Sequence, residues 1–347
     1  MLLGLRGVGK TVLLNEIARD AAGKGCFVSF IEYPEKLDLA DLFYPLFSKT
    51  LRALSGAEAT KDLIARGFRA LGNFSRGVEI KVKDTKISPD ATPDPEFADS
   101  SNIEFDLPDM FELIGQAAKN QHSVWVLLID EVQYVNSRDM SALLVALHKV
   151  SQAGLPVMFV GAGLPNVARL TGFAKSCSER LLEWRQVGAL PPEACRQAIR
   201  KPLEQGNASI ADEALDLIVK GTCGYPFFVQ TWAYYAWDEA STNTITVTDV
   251  EKAYRITVDT LDNGFFWIRF SRLTEKDFEY VRAMATLGTG PYPVGRVSKA
   301  MGKSTAVAAK QRDSLIKKGL IYSPKFGFVD FSVPLFSDFL VRLEKLR

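Results

Sequence analysis

Several things are missing from this sequence, and each absence excludes a class of protein. No apolar run reaches the roughly 18 residues that a membrane-spanning helix needs. No leader is expected either, because the chain passes from Met1-Leu2-Leu3 straight into a glycine-rich loop. A cytoplasmic protein with no membrane partner is therefore expected. Cysteine is scarce: Cys26, Cys177, Cys195 and Cys223 are widely scattered with no CxxC pair, which argues for reduced thiols and against a zinc site. With 47% hydrophobic and 24% charged residues, no large disordered fraction is expected, and 347 residues are enough for two or three domains.

Net charge is also close to nil, at +1, but it is unevenly placed. Phe265–Arg347 carries 15 Lys and Arg against 7 Asp and Glu, which leaves 27 basic and 34 acidic residues for Met1–Gly264. Such asymmetry suggests different partners for the two parts, without identifying DNA by itself.

What is present begins with GLRGVGKT, Gly4 to Thr11. The pattern is Gly, four residues, Gly, Lys, Ser or Thr: a loop whose glycines let backbone N–H groups converge on phosphate oxygens. Lys10 supplies a point charge for the β- and γ-phosphates, and the Thr11 hydroxyl suits Mg²⁺. TVLLNEIARDAA after it is helical, so a positive dipole end meets the same anion. Met1-Leu2-Leu3 is the stub of the strand that should precede the loop. The expected nucleotide contacts are Gly4, Arg6, Gly7, Val8, Gly9, Lys10, Thr11 and Val12.

Further along, Cys26–Tyr33 reads as a buried parallel strand. Asp38–Leu54 has helical spacing, with Pro45 expected to kink or split it. Residues 72–106 do not fit a simple α/β alternation. They hold the alternating run GVEIKVK, a Pro/Asp/Ser-rich tip ISPDATPDPEFADSS and a second short run NIEFD. They read either as an inserted β-hairpin or flap, or as a loop of no functional importance. Helix resumes over Leu107–Lys119.

Ser123–Val135 is a continuous apolar strand ending in Asp130-Glu131. Carboxylates there, with GVGKT upstream, complete a Mg-ATP site: Asp130 for Mg²⁺, and Glu131 as general base on the attacking water. Leu155–Gly163 is another buried strand, but its end, Gly161-Ala162-Gly163, offers no polar side chain to touch a phosphate. Asn166 is the nearest polar residue. In Ser176–Leu190, Arg180 reads either as a catalytic arginine acting across an interface or as a surface residue paired with Glu179 or Glu183. Arg185 is the weaker candidate.

Pro191–Asp262 reads as all-helical. Prolines begin the first helix, an aromatic stripe over Gly224–Ala240 reads as core, and Thr248 or Asp249 caps the last helix. The final part has a different order: a helix capped at Thr274, two helices about a turn at Gly302-Lys303, then two short strands about Lys325-Phe326-Gly327. That is the order of a winged helix-turn-helix with its recognition helix over Ser304–Lys318. Lys303, Lys310, Arg312, Lys317, Lys318 and Lys325 would form the basic face toward duplex DNA. The alternative is a packing or protein-docking module.

GLRGVGKT, LLIDE, the Ser176–Arg180 stretch and Gly224-Tyr225-Pro226 together resemble the AAA+ and STAND ATPases, in particular the archaeal and bacterial origin-recognition-type ATPases with a C-terminal winged helix. The resemblance implies an α/β fold: a P-loop parallel-sheet core over 1–190, a helical lid over 191–264 and a winged helix over 265–347. Gly224-Tyr225-Pro226 is similar to the Gly-x-Pro signature of STAND lids, which implies that Gly224 and Pro226 approach the nucleotide. The family's segment before the phosphate loop, which helps to hold the adenine, is missing here, as in a fragment or a late start. The lid arginine that senses the γ-phosphate has no counterpart. The implied function is a slow ATPase with ATP/ADP and Mg²⁺ as ligands, used as a nucleotide-controlled switch, with DNA, a protein or a second copy as partner.

Overall fold

A strand covered on both faces needs no polar side, and Trp125–Asp130 (β3) is buried at all six positions. The computed structural model describes residues 1–34, 37, 39–55, 61–76, 103–167 and 178–345. These form two units, one of Met1–Gly4 and Gly9–Val187, the other of Leu5–Val8 and Gly188–Arg347.

In the first unit β3 pairs in parallel with β2 (Phe27–Glu32) and with β4 (Val157–Gly163). Beyond β4 lie β1 (Leu2–Leu3) and β5 (Arg185–Gln186), giving a five-stranded parallel sheet in the order β2-β3-β4-β1-β5. Short as it is, β1 is paired on both edges: Leu2 opposite Ala162 and Arg185, Leu3 opposite Gly163 and Gln186. The strand stub is thus an inner strand. β5 went unread in the sequence because two exposed residues carry no periodicity.

Alternation along β3 sends its side chains into two layers. Val126 and Leu128 pack with Leu14 of helix α1 (Lys10–Gly23), Leu2 and Ala162. Trp125, Leu127 and Ile129 join the larger core of α2 (Leu39–Leu54), α3 (Lys61–Arg76), α4 (Ile103–Asn120) and α5 (Ser137–Gln152). Its centre is aromatic. Phe111 and Trp125 meet edge to face at 4.9 Å, Phe43 stacks on Phe47 at 4.9 Å, and the Trp125 indole donates to Ser29 Oγ at 3.0 Å.

Of the two outcomes expected at Pro45, splitting is excluded, since α2 runs unbroken through it. A second expectation is corrected. The stretch 72–106 is not a hairpin at its ends. Helix α3 continues to Arg76, and NIEFD opens α4 at Ile103 instead of forming a strand. Ile103, Leu107, Phe111 and Ile114 share one face at helical spacing, and the last three are wholly buried, which overrides the short alternating run. GVEIKVK and the Pro-rich tip lie outside the described residues, as do Ser176 and Cys177. A short helix, α6 (Ser178–Leu181), precedes β5.

The second unit opens with α7 (Pro192–Gln205), α8 (Asp212–Gly221), α9 (Pro226–Asp238) and α10 (Val247–Thr260). A small parallel pair, β6 (Ser209–Ile210) and β7 (Thr244–Ile245), interrupts the expected all-helical run. Thr246, not Thr248 or Asp249, caps α10, with Asp249 closing the capping box from the N3 position. Phe228 and Trp232 of the aromatic stripe are core, but Tyr234 and Trp237 are exposed.

A π-helical segment, Leu261–Phe266, leads through α11 (Trp267–Phe270) to α12 (Glu275–Thr286), α13 (Val294–Ala300) and α14 (Thr305–Lys317). Strands β8 (Tyr292–Pro293), β9 (Ile321–Tyr322) and β10 (Phe328–Phe331) form an antiparallel sheet in the order β8-β10-β9, and α15 (Phe336–Lys345) follows. Three helices and a wing are present as read. β8 and α15 are additions. Phe266 ties this part to the helices before it, 5.8 Å from Phe228 and stacked on Phe339 at 5.4 Å.

Asp277 holds the start of α12. It is 2% exposed, its carboxylate accepts from the Thr274 backbone and hydroxyl, and Lys318 donates to it at 2.6 Å. Burial pushes this carboxyl up, but the bonds from Lys318 and Thr274 outweigh it and hold the group below its ordinary value. Its stabilisation is therefore complete above about pH 4 and is lost as pH falls through the folded value. Asp277→Asn should remove about 1–3 kcal/mol and flatten the acid end of the stability profile. Urea melts at pH 7 and pH 3 check this; an unchanged profile would contradict the assignment.

Candidate functional site

The phosphate loop leaves β1 at Gly4, whose N–H donates to Gly163 O at 3.1 Å. Gly7 and Gly9 take φ of 79° and 88°, the left-handed region in which a side chain is strained. Gly9 is the N-cap of α1 and uses no side chain, so the first N–H groups of the helix stay available to an anion. Lys10, the first residue of α1, is buried, and its ammonium donates to Gly4 O at 3.0 Å, which folds the side chain back along the loop.

Thr11 points its hydroxyl at the carboxyl end of β3. Its Oγ1 donates to Asp130 Oδ2 at 2.5 Å across 119 residues of sequence. Asp130 is the last residue of β3 and only 2% exposed; its second oxygen, Oδ1, accepts the Glu131 N–H at 2.8 Å. This hydroxyl and carboxylate are hard oxygen donors beside a phosphate cradle, a set that fits Mg²⁺. Glu131 follows with φ 55° and ψ 36°, an unusual conformation for glutamate, and it turns the chain sharply out of the strand into a 3₁₀ turn, Val132–Tyr134. Lys10, Thr11, Asp130 and Glu131 thus come together at the carboxyl ends of strands of a parallel sheet, where ligands of open α/β sheets bind.

The sequence reading missed Gln133. Its Nε2 donates to Glu131 Oε2, and its Oε1 accepts the Leu164 N–H at 3.0 Å, just past β4. Asn166 is exposed in the turn beyond. Arg180, in α6, is exposed, and Arg185, on β5, pairs with Glu183, the plainer of the two readings for that residue. Val12 is exposed on α1 and Val8 is buried.

Within the second unit, which includes Leu5–Val8, the Tyr225 hydroxyl donates to the Arg6 carbonyl. The ring lies so close to Gly7 that a Cβ there would come within 2.8 Å of Tyr225 Cζ. Burial pushes the Tyr225 phenol up to about 12, so it remains a protonated donor. Gly224, at φ 69°, has no room for a side chain: a Cβ would overlap the Leu190 carbonyl, and the Leu190 N–H reaches Gly224 O at 2.7 Å. Pro226 starts α9 at the favoured first position.

The six basic residues do not form one free face. Lys303 pairs with Glu279, Arg312 with Asp313 and Lys318 with Asp277. Lys310 and Lys317 are exposed on α14, and Lys325, at the wing, lies 4.1 Å from the Phe328 ring centroid. Among the described residues no helix is long and apolar enough to cross a membrane.

Residues 1–164 match a family model described as an AAA domain, and residues 263–340 match one described as a domain of unknown function (DUF8462). No curated protein matches the chain. Among solved structures it is similar to the Walker-type ATPase PABY2304 of Pyrococcus abyssi, at 14% identity over 98% of this chain and 90% of that one, with a TM-score of 0.59. Two more are the RuvB Holliday junction branch migration motor of Thermotoga maritima (15% identity, 94% and 82% covered, TM-score 0.43) and the ORC1 protein of Aeropyrum pernix in complex with DNA (12%, 100% and 87%, 0.39). The first likeness shows a common fold.

Proposed function

We propose, from the match of residues 1–164 to a family model described as an AAA domain, that this protein binds ATP at Gly4–Thr11 and hydrolyses it slowly as a nucleotide-controlled switch. The observation that carries the reading is the Thr11–Asp130 hydrogen bond with Glu131 next in the chain. It joins the two motifs at one place.

Each residue then has a role. The loop N–H groups and the Lys10 ammonium bind the β- and γ-phosphates, and Arg6, Val8 and Val12 flank that cradle. Thr11 and Asp130 would hold Mg²⁺, which when bound neutralises charge on the phosphates. Glu131 orients the attacking water and takes its proton. Arg180 is exposed, as an arginine acting on a neighbouring copy would have to be. Tyr225, between Gly224 and Pro226, supports the switch: its hydroxyl holds a carbonyl of the loop itself, so a loop that moves with nucleotide state changes a contact of the second unit. The division into core 1–190, lid 191–264 and winged helix 265–347 belongs to the same proposal.

DNA is the second part of the reading. The excess of basic residues after Phe265 supports it, as do exposed Lys310, Lys317 and Lys325, for which no carboxylate partner occurs among the described residues. Replacing these three by alanine should weaken duplex binding and reduce the salt-dependence slope by about 1 for each phosphate that is no longer neutralised, without the fold damage expected on removing Lys318. Titrations of labelled duplex at several salt concentrations check this. An unchanged slope, with a protein partner captured instead, would favour the docking alternative. ATP turnover with and without duplex, alongside light scattering for self-association, tests the whole proposal: stimulation joins ATPase and DNA in one cycle, and no ATP turnover under any condition overturns it.

A further inference from the structure

Glu131 has an unusual backbone conformation, which persists only where its surroundings hold it. Its N–H is taken by Asp130 Oδ1 at 2.8 Å, which fixes the main chain and leaves the carboxylate to a second partner. That partner is Gln133, two residues on, in the 3₁₀ turn. The orientation of its amide follows from chemistry. Leu164 N–H can only donate, so the Gln133 atom facing it at 3.0 Å must be the oxygen, and the atom facing Glu131 must be the NH₂ group. A flip would leave both pairings without a donor–acceptor match. Gly163, the last residue of β4, makes room: a Cβ there would sit 3.0 Å from Gln133 Oε1 and 2.8 Å from Val167 Cγ2. The strand end therefore contributes backbone, not a side chain, and Gln133 fills the position.

We propose that Gln133 is a positioning residue for ATP hydrolysis: it ties the Glu131 carboxylate to the end of β4 and aims it for proton abstraction. This rests on the reading of Glu131 as the general base. Gln133 touches neither phosphate nor water in this role, and its effect passes wholly through Glu131.

Two variants of the full chain test it. Gln133→Ala removes both hydrogen bonds. Gln133→Glu keeps an acceptor for Leu164 N–H but sets a carboxylate against Glu131. Both should lower kcat about 10- to 100-fold, the range seen when a group that orients a catalytic residue is removed. The Kd for ATP, measured by calorimetry, should stay within about twofold, and so should KM. In the Glu131→Gln background, Gln133→Ala should bring no further loss, because two residues acting as one unit are not additive. Thermal melts of every variant identify one that is unfolded, and the Gln133→Glu variant then decides the case. Wild-type kcat in either folded variant, a rise in kcat, or a further full-sized loss in the Glu131→Gln background overturns the proposal. Wild-type turnover by Glu131→Gln itself would remove the base assignment and this inference with it. An inactive Glu131→Gln beside a fully active Gln133→Ala removes this inference alone.

Discussion

Lys10→Ala is expected to abolish measurable ATP binding. The Lys10 ammonium is buried and held at 3.0 Å from Gly4 O, so it is already placed along the loop before nucleotide arrives. Its charge lies next to where two phosphates would sit, in a site formed by backbone donors and a helix N-terminus. Charge-assisted hydrogen bonds of this kind contribute about 1.5–3 kcal/mol each. Without the lysine's bonds to both phosphates, Kd should weaken by at least about 100-fold. Folding should survive, because the bond from the ammonium to the Gly4 carbonyl can be replaced by one from water. Calorimetric titration with Mg-ATP, alongside a thermal melt, reads both quantities. A Kd within about threefold of wild type would mean that the loop does not hold the phosphates.

The second large effect is on rate rather than binding. Glu131→Gln should keep the Kd for ATP within about threefold while kcat falls about 10²–10⁴-fold, the usual contribution of a positioned general base. The substitution is nearly isosteric, and its carbonyl oxygen still accepts from Gln133, so the turn at φ 55° and its neighbours need not move. What disappears is the ability to take a proton. Asp130, 2% exposed and bonded to Thr11, is too enclosed to replace it. Single-turnover hydrolysis separates this from slow product release. Wild-type turnover would assign the proton transfer elsewhere.

Most of the core was legible because its signals are local or strictly periodic. GLRGVGKT is a backbone demand written in glycines, and Gly7 and Gly9 do take positive φ. The apolar run before Asp130 could only be a strand buried on both faces, and β3 is one. The order of helices and strands after Phe265 was legible for the same reason, since the cap at Thr274 marks its helix start in the sequence. The misread elements are short. NIEFD has a two-residue alternation too short to outweigh a helical face that continues beyond it, and β5, β6, β7 and β8 are two residues each, below any period. Pro45 lacks only its own N–H, and the burial of Phe43, Phe47 and Leu51 on either side holds α2 together.

By itself the sequence determined which chemical groups make up the proposed ATP site: a glycine loop with Lys10 and Thr11, and a strand that delivers Asp130 and Glu131. Those follow from residue type and spacing within a few positions. Only the tertiary structure decided how they meet. In the first unit, parallel pairing in the order β2-β3-β4-β1-β5 brings Thr11 to Asp130 across 119 residues and ties Glu131 through Gln133 to the end of β4. In the second unit, packing sets Lys303, Arg312 and Lys318 in ion pairs while Lys310 and Lys317 stay exposed. Contacts of that range depend on strand order and side-chain reach, which no local pattern encodes.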